Sequence, residues 1–255
     1  MFEIFIFALL LSLLAGLSTA FGGIIALFFK NPGPKYISGI MGFSAGVMLF
    51  ISFTELLQEG IKTFNLLIGS LYFFLGMGIM FIIDMTLSHK YHFEESFFKK
   101  ECKPDDPRLQ KASIFIFLGI FIHNFPEGVV TLVATLENIE IGVILAIAIA
   151  LHNIPEGIAV AVPICVSVQD KKKGFFWAFL SGMSEPIGAF IFGLFFLNFL
   201  NEVILAALLA LVGGIMVYVS IDELLPISQC SGNESISIIG IVSGMFIMAL
   251  SLSLL

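Results

Sequence analysis

Two six-residue stretches of this chain bring together residue types that bind metal ions: HNFPEG at His123 to Gly128 and HNIPEG at His152 to Gly157, 29 positions apart. In each, histidine and glutamate are spaced i, i+4, so on a helix both project from one face about one turn apart. If the two segments form an antiparallel hairpin, residues at equal depth have a constant sum of residue numbers. His123 with Glu156 and Glu127 with His152 satisfy that condition, so all four side chains can close one site. Two carboxylates balance a dication and two neutral imidazoles add borderline-soft nitrogen, which suits Zn²⁺ best and also admits Fe²⁺, Mn²⁺, Co²⁺ and Cd²⁺. Mg²⁺ and Ca²⁺ favour all-oxygen shells. Pro126 and Pro155 carry no N–H for the carbonyls of Ile122 and Leu151. Asn124 and Asn153 offer amide oxygens on an adjacent face, and Gly128 and Gly157 leave room for close helix crossings.

The elements that must position these residues lie in a hydrocarbon setting. Of 255 residues, 58% are hydrophobic and 12% charged, and the mean hydropathy is +1.06, too apolar for one soluble core. A helix needs about 20 apolar residues to cross a bilayer. Eight segments qualify, at 4–29, 37–58, 65–88, 113–137, 141–168, 174–200, 203–227 and 235–254, and none shows the ten-residue alternation of a β-barrel. The expected fold is an all-α integral membrane protein with a single transmembrane domain over 1–255. The first run carries Glu3 and lacks a basic leader, so it reads as a helix and not as a signal peptide. Cys102, Cys165 and Cys230 have no metal-ligand spacing and receive no role.

Positive charge sets the orientation. With the N-terminus outside, eleven of the twelve Lys and Arg residues fall in cytoplasmic loops and only Lys62 is external. Both termini then face out. The one long loop, 89–112, mixes acids, bases and two prolines and reads as a solvated linker, with His89 and His92 as candidates to touch a metal leaving the inner face.

A repeat is written into the helices. GVMLFISFTELL (Gly46 to Leu57) and GIMVYVSIDELL (Gly214 to Leu225) share six identities in twelve at an offset of 168. Gly16, Ser18 and Gly22 of the first helix match Gly182, Ser184 and Gly188 of the sixth. Five crossings separate each helix from its mate, so the repeats are inverted, and the chain reads as three plus two plus three helices about a pseudo-two-fold axis in the membrane plane. Transporters place substrate near the midplane of such an arrangement.

An acid at the centre of a spanning helix costs about 2.5–3.5 kcal/mol on the insertion scale. Glu127, Glu156 and Glu185 therefore call for a partner, and a dication is the economical one. Glu185, followed by Pro186, is expected beside the asparagines, either in a second metal site or as a proton-accepting neighbour of the first. Met48 is a soft thioether at mid-depth. Glu55 near the outer end of the second helix and Asp222 with Glu223 near the inner end of the seventh are candidates for the entrance and exit of a cation path.

HNFPEG on the fourth helix and HNIPEG on the fifth resemble the signature of the ZIP (Zrt/Irt-like) metal transporters, particularly their bacterial branch. The similarity extends to GFSAGVML on the second helix, the acid on the sixth and the long loop after the third. This resemblance implies uptake of zinc and other divalent metals through a binuclear centre in a multi-pass protein of the cytoplasmic membrane, and a homodimer. It also implies a primary site of His123, Glu127, His152 and Glu156 with Met48, and a secondary one in which Asn124, Asn153 and Glu185 join the bridging glutamates. Some relatives carry aspartate where this chain has Asn153, which makes the second site here less anionic. Metal ions and membrane lipid are the expected partners. Neither an organic cofactor nor a nucleic acid is expected. An intramembrane zinc hydrolase is the rival class, but H-E-x-x-H peptidases place a general-base glutamate beside the first histidine, where this chain has Asn124 and Asn153. A non-transporting metal sensor is the other rival.

Overall fold

The computed structural model describes residues 2–28, 34–88, 107–168, 170–196, 201–229 and 233–253. His89, His92, Cys102 and Cys230 lie outside the described residues. Among those described there is no strand, and eight helical spans are long and apolar enough to cross a membrane: α1 (Phe2–Phe28), α2 (Lys35–Thr63), α3 (Leu66–Thr86), α4 (Ile114–Leu136), α5 (Gly142–Cys165), α6 (Lys171–Phe195), α7 (Glu202–Gln229) and α8 (Glu234–Ser253). The chain is an eight-span, all-α membrane protein.

Local chemistry accounts for where the ends differ from the sequence reading. The helix containing α4 begins at Pro107, inside the stretch read as loop, because proline is pre-organised for the first helical position. The helix of α6 begins at Lys171, where the Asp170 side chain accepts from the N–H groups of Lys172 and Lys173 at 3.0 and 3.3 Å. Such a cap satisfies amides that no earlier turn can reach.

Packing divides the spans into two sets of four. In one, α1 packs on α5 and α6, and α4 packs on both of these; in the other, α2 packs along α8 and α3 along α7. The sets meet mainly where α4 touches α7 and α2 touches α5. Glycine makes the tightest crossings. A Cβ on Gly46 would strike the carbonyl of Ile241, and one on Gly214 the carbonyl of Phe73; Gly244 meets the carbonyl of Phe43, and Gly76 that of Leu211. A shift of 168 residues converts each crossing into its mate. In the other set, Gly22 abuts the carbonyl of Ile154 and Gly188 that of Phe125, while Gly157 abuts the carbonyl of Thr19 and Gly128 that of Glu185. Here the offsets are 166 between α1 and α6 and 29 between the two motifs. The inverted repeat is thus reproduced in these glycine crossings.

The same symmetry marks an irregularity. Helices α2 and α7 each widen into a π-helical turn, at Ser52–Leu56 and Ser220–Leu224, and in each the next residue's N–H returns to the serine carbonyl. These turns are related by the offset of 168. Such turns concentrate at functional sites, and these two carry Glu55, Asp222 and Glu223.

Replacing Gly46 or Gly214 by alanine is expected to destabilise the protein by about 1–3 kcal/mol, because the methyl meets backbone that has no rotamer to escape into. Gly78 has nothing within 4 Å of its Cβ position, so Gly78→Ala should be neutral or stabilising. Reversible unfolding of the three variants in detergent tests the contrast.

Candidate metal centre

The two motifs fall on α4 and α5, and the predicted equal-depth pairing is what the backbone produces. His123 Nε2 lies 3.4 Å from Glu156 Oε1, and His152 Nε2 lies 2.8 Å from Glu127 Oε1. Glu127 Oε1 also lies 3.0 Å from His123 Nε2, its own i, i+4 neighbour, so this one oxygen stands between both imidazoles. The ring centroids are 6.4 Å apart. Ligating atoms of His123, His152 and Glu156 fall within 4.8 Å of one another. All four side chains are sealed from the surface: His123 is 1% exposed, Glu127 4%, His152 2% and Glu156 0%.

Burial this complete demands partners, and the protein supplies too few. Beyond those close ion-pair contacts, Glu127 Oε2, Glu156 Oε1, both nitrogens of His123 and Nδ1 of His152 make no hydrogen bond of good geometry. An unpaired buried polar atom costs free energy, and a buried carboxylate costs more. Most native buried polar atoms are satisfied, so unsatisfied carboxylate oxygens and imidazoles, each imidazole offering one lone pair, converging on two motifs are donors available to a cation. Nitrogen and oxygen donors in this number suit a borderline-soft divalent ion.

The asparagines extend the polar cluster toward α1 and α6. Asn153 donates to the carbonyl of Ala15 at 3.1 Å and to the Glu185 carboxylate. Asn124 lies 3.4 Å from the carbonyl of Ser181. Turning the Asn124 amide over satisfies both of its ends, with donation to the carbonyl of Ile120 at 3.0 Å and to Glu156 Oε2 at 3.3 Å. Ala15 and Ser181 are repeat mates at the 166 offset, so the two asparagine side chains lie beside equivalent carbonyls, although only Asn153 donates to its own once the Asn124 amide is turned. Glu185 is fully buried with Oε2 unpartnered, as is Asn153 Oδ1. The structure therefore brings Glu185 to Asn153 and hence to the edge of the four-residue cluster.

Met48 is 1% exposed and its carbonyl accepts from the Ser52 hydroxyl at 2.7 Å. Glu55 stands apart and exposed in the π-turn of α2. Asp222 and Glu223 are not alone: their carboxylates lie within 4.8 Å of each other and of Asp84 on α3, with Tyr218 Oη 3.5 Å from Asp84 Oδ2. Sequence reasoning missed Asp84, although the signal was present. It is the one acid inside the third apolar run, near the inner end, where the insertion cost is smaller than at the centre. Also unforeseen are the buried hydroxyls of Ser12, Thr19, Thr131 and Ser220, none with a partner. The carbonyl seen engaged beside the second motif is that of Pro155, which accepts from the Ser44 hydroxyl at 3.0 Å.

A family model described as "ZIP Zinc transporter" matches residues 88–252. A relative named zinc transporter ZupT, from Corynebacterium aurimucosum, is 41% identical over 97% of this chain and 97% of its own length. The proteins of that name from Clostridium perfringens and Campylobacter jejuni are 42% and 39% identical, over 97% and 100% of this chain and 95% and 98% of theirs.

Single replacement of His123, Glu127, His152 or Glu156 by alanine should weaken Zn²⁺ binding to the detergent-solubilised protein by more than the roughly 10–100-fold that outer-shell changes cost a metal site. Titration calorimetry on each variant reads this directly, and wild-type affinity in all four would remove the cluster from metal binding.

Proposed function

Since this chain belongs to the ZIP family of zinc transporters, we propose that it takes up divalent metal ions, Zn²⁺ foremost, across the cell membrane through the cluster on α4 and α5. The observation that carries the reading is the convergence of two imidazoles and two carboxylates, all at most 4% exposed, with unpartnered lone pairs. The contacts among the four side chains leave these atoms over. A buried cation binds by replacing its hydration shell with these donors, and it leaves when the helices re-expose them. Fe²⁺, Mn²⁺, Co²⁺ and Cd²⁺ are carried to the extent that the mixed nitrogen and oxygen set accepts them.

In the orientation set by the Lys and Arg distribution, α4 runs outward and α5 inward. Glu127 and His152 then face the outer half of the membrane, and His123 and Glu156 the inner half. Glu55 stands on the outer approach and the group of Asp84, Asp222 and Glu223 on the inner one. The secondary position comprises Asn124, Asn153 and Glu185 with the two glutamates, and Met48 adds a thioether to the primary one. Each elementary charge gains about 2.3 kcal/mol per 100 mV, so a dication entering an inside-negative cell gains about 4.6 kcal/mol. That is enough for concentrative uptake. Inversion of the repeat supplies the means of alternating access, with the two four-helix sets exchanging packing around the shared site.

Glu127→Ala and His152→Ala should each abolish Zn²⁺ uptake into proteoliposomes under an imposed inside-negative potential while leaving insertion intact. Wild-type flux from either would refute the site. Glu185→Gln should slow transport or change the ranking of metals without abolishing flux, and indifference across Zn²⁺, Cd²⁺ and Mn²⁺ would take α6 out of the path.

A further inference from the structure

Hydroxyls in these helices mostly bond within their own span. Ser52, Thr135 and Ser251 donate to the carbonyl four residues back, at 2.7, 2.6 and 2.9 Å. Ser18, Ser184 and Ser243 donate to the carbonyl three residues back, at 2.6, 2.7 and 2.8 Å. Ser44 departs from this habit. It is 1% exposed, and its hydroxyl leaves α2 to donate to the carbonyl of Pro155 on α5, at 3.0 Å. That bond joins one four-helix set to the other. It also lands one residue before Glu156, on the peptide that carries this carboxylate.

The repeat gives the bond a built-in comparison. The mate of Ser44 at the 168 offset is Val212, and the mate of Pro155 at the 29 offset is Pro126, one residue before Glu127. Val212 is also buried, 2% exposed, but it has no donor. The register between the two sets is nonetheless the same on both sides. A Cβ on Gly119 of α4 would meet the Val219 side chain of α7, and the repeat mates of that pair are Ala148 and Ile51. Ala148 with Ile51 and Pro155 with Ser44 share one sum of residue numbers, so they belong to one antiparallel alignment of α2 on α5. The two flanks of the site are aligned alike, and the site between them is closed. One flank is tied by a hydrogen bond and the other is not.

We propose that Ser44 is a positioning residue: its hydrogen bond to the Pro155 carbonyl holds α2 and α5 in the register at which the Glu156 side of the metal cluster is closed, and it must break for the two four-helix sets to slide. The inference rests on reading that cluster as the transport site. The residue touches no donor of the metal. It acts through the backbone that aims one.

The test uses the full chain in proteoliposomes, in a functional background lacking native cysteines, with a single cysteine at Ser52 or Ser220. Both positions are fully buried in the closed register, so labelling by a membrane-impermeant maleimide reports its opening. Ser44→Ala should raise the labelling rate at one or both positions by roughly fivefold, the equivalent of losing about 1 kcal/mol of net hydrogen bonding. Ser44→Thr keeps the donor and should label as the parent does. Val212→Ser places a donor opposite the Pro126 carbonyl and should lower labelling and slow Zn²⁺ turnover. Parental labelling in Ser44→Ala, or equal changes in Ser44→Ala and Ser44→Thr, would overturn the proposal. If Ser44→Ala does not fold, Val212→Ser decides: labelling that fails to fall refutes it. Active uptake by Glu127→Ala would instead overturn the site reading, and the labelling ratios do not depend on that result.

Discussion

Putting ionisable groups where water cannot reach them is the constraint from which the rest of this structure follows. Glu127, Glu156 and Glu185 are each at most 4% exposed within helices that otherwise offer hydrocarbon. The protein offsets that burial only in part: imidazoles stand beside Glu127 and Glu156 and Asn153 donates to Glu185, yet one oxygen of each carboxylate remains without a hydrogen bond. A fold selected for stability alone would replace such residues with apolar ones of similar volume. Keeping them makes sense only if something else supplies the missing interaction, and the imidazoles beside them define what that is. The ligand proposed for the cluster is the one that the relatives' name gives, zinc.

Holding those groups in contact needs helices closer together than side chains normally allow. The glycines next to the site meet that need. Gly128 and Gly157 each follow a motif glutamate directly, and each puts its helix against a carbonyl, of Glu185 and of Thr19 respectively. Without a strong hydrophobic drive between helices in lipid, small residues and polar cross-bonds are what bind spans together. Here the same contacts serve two ends. They weld α1, α4, α5 and α6 into one unit around the site, and they leave the seam toward α2 and α7 as the thinner join. In the proposed transport cycle, that seam is where the two sets would move past each other.

Much of this was legible in the sequence because the signals were periodic or costly. Continuous apolar runs defined eight spans, the i, i+4 spacing with the equal-sum rule placed His123 opposite Glu156 and His152 opposite Glu127, and twelve residues of shared pattern disclosed the inverted repeat. What escaped has a physical explanation too. A π-helical turn alters one hydrogen bond and leaves no compositional mark, so the widened turns at Ser52–Leu56 and Ser220–Leu224 were invisible. Asp84 escaped because it sits near the end of its run, where an acid reads as interfacial, and only the fold brings it to Asp222 and Glu223. The Ser44 bond escaped because serine in a spanning helix ordinarily satisfies itself.

The places where the two repeats disagree carry as much meaning as those where they match. Symmetric contacts build a path that is equivalent from both sides, and a path with no asymmetry has no preferred closed form. Three departures break it. Glu185 has Thr19 as its mate at the 166 offset, so the third buried acid lies on one side of the pseudo-axis only. Its carbonyl packs against Gly128, beside Glu127, which in the proposed orientation is the outer half. Under that orientation the outward-facing half of the proposed centre is the more anionic one. Glu55 is exposed whereas its mate Glu223 is buried, 8% exposed, in a cluster with Asp84 and Asp222. Ser44 ties one flank, and Val212 leaves the other untied. Duplication supplied two nearly equivalent halves, and these are positions at which they are no longer equivalent.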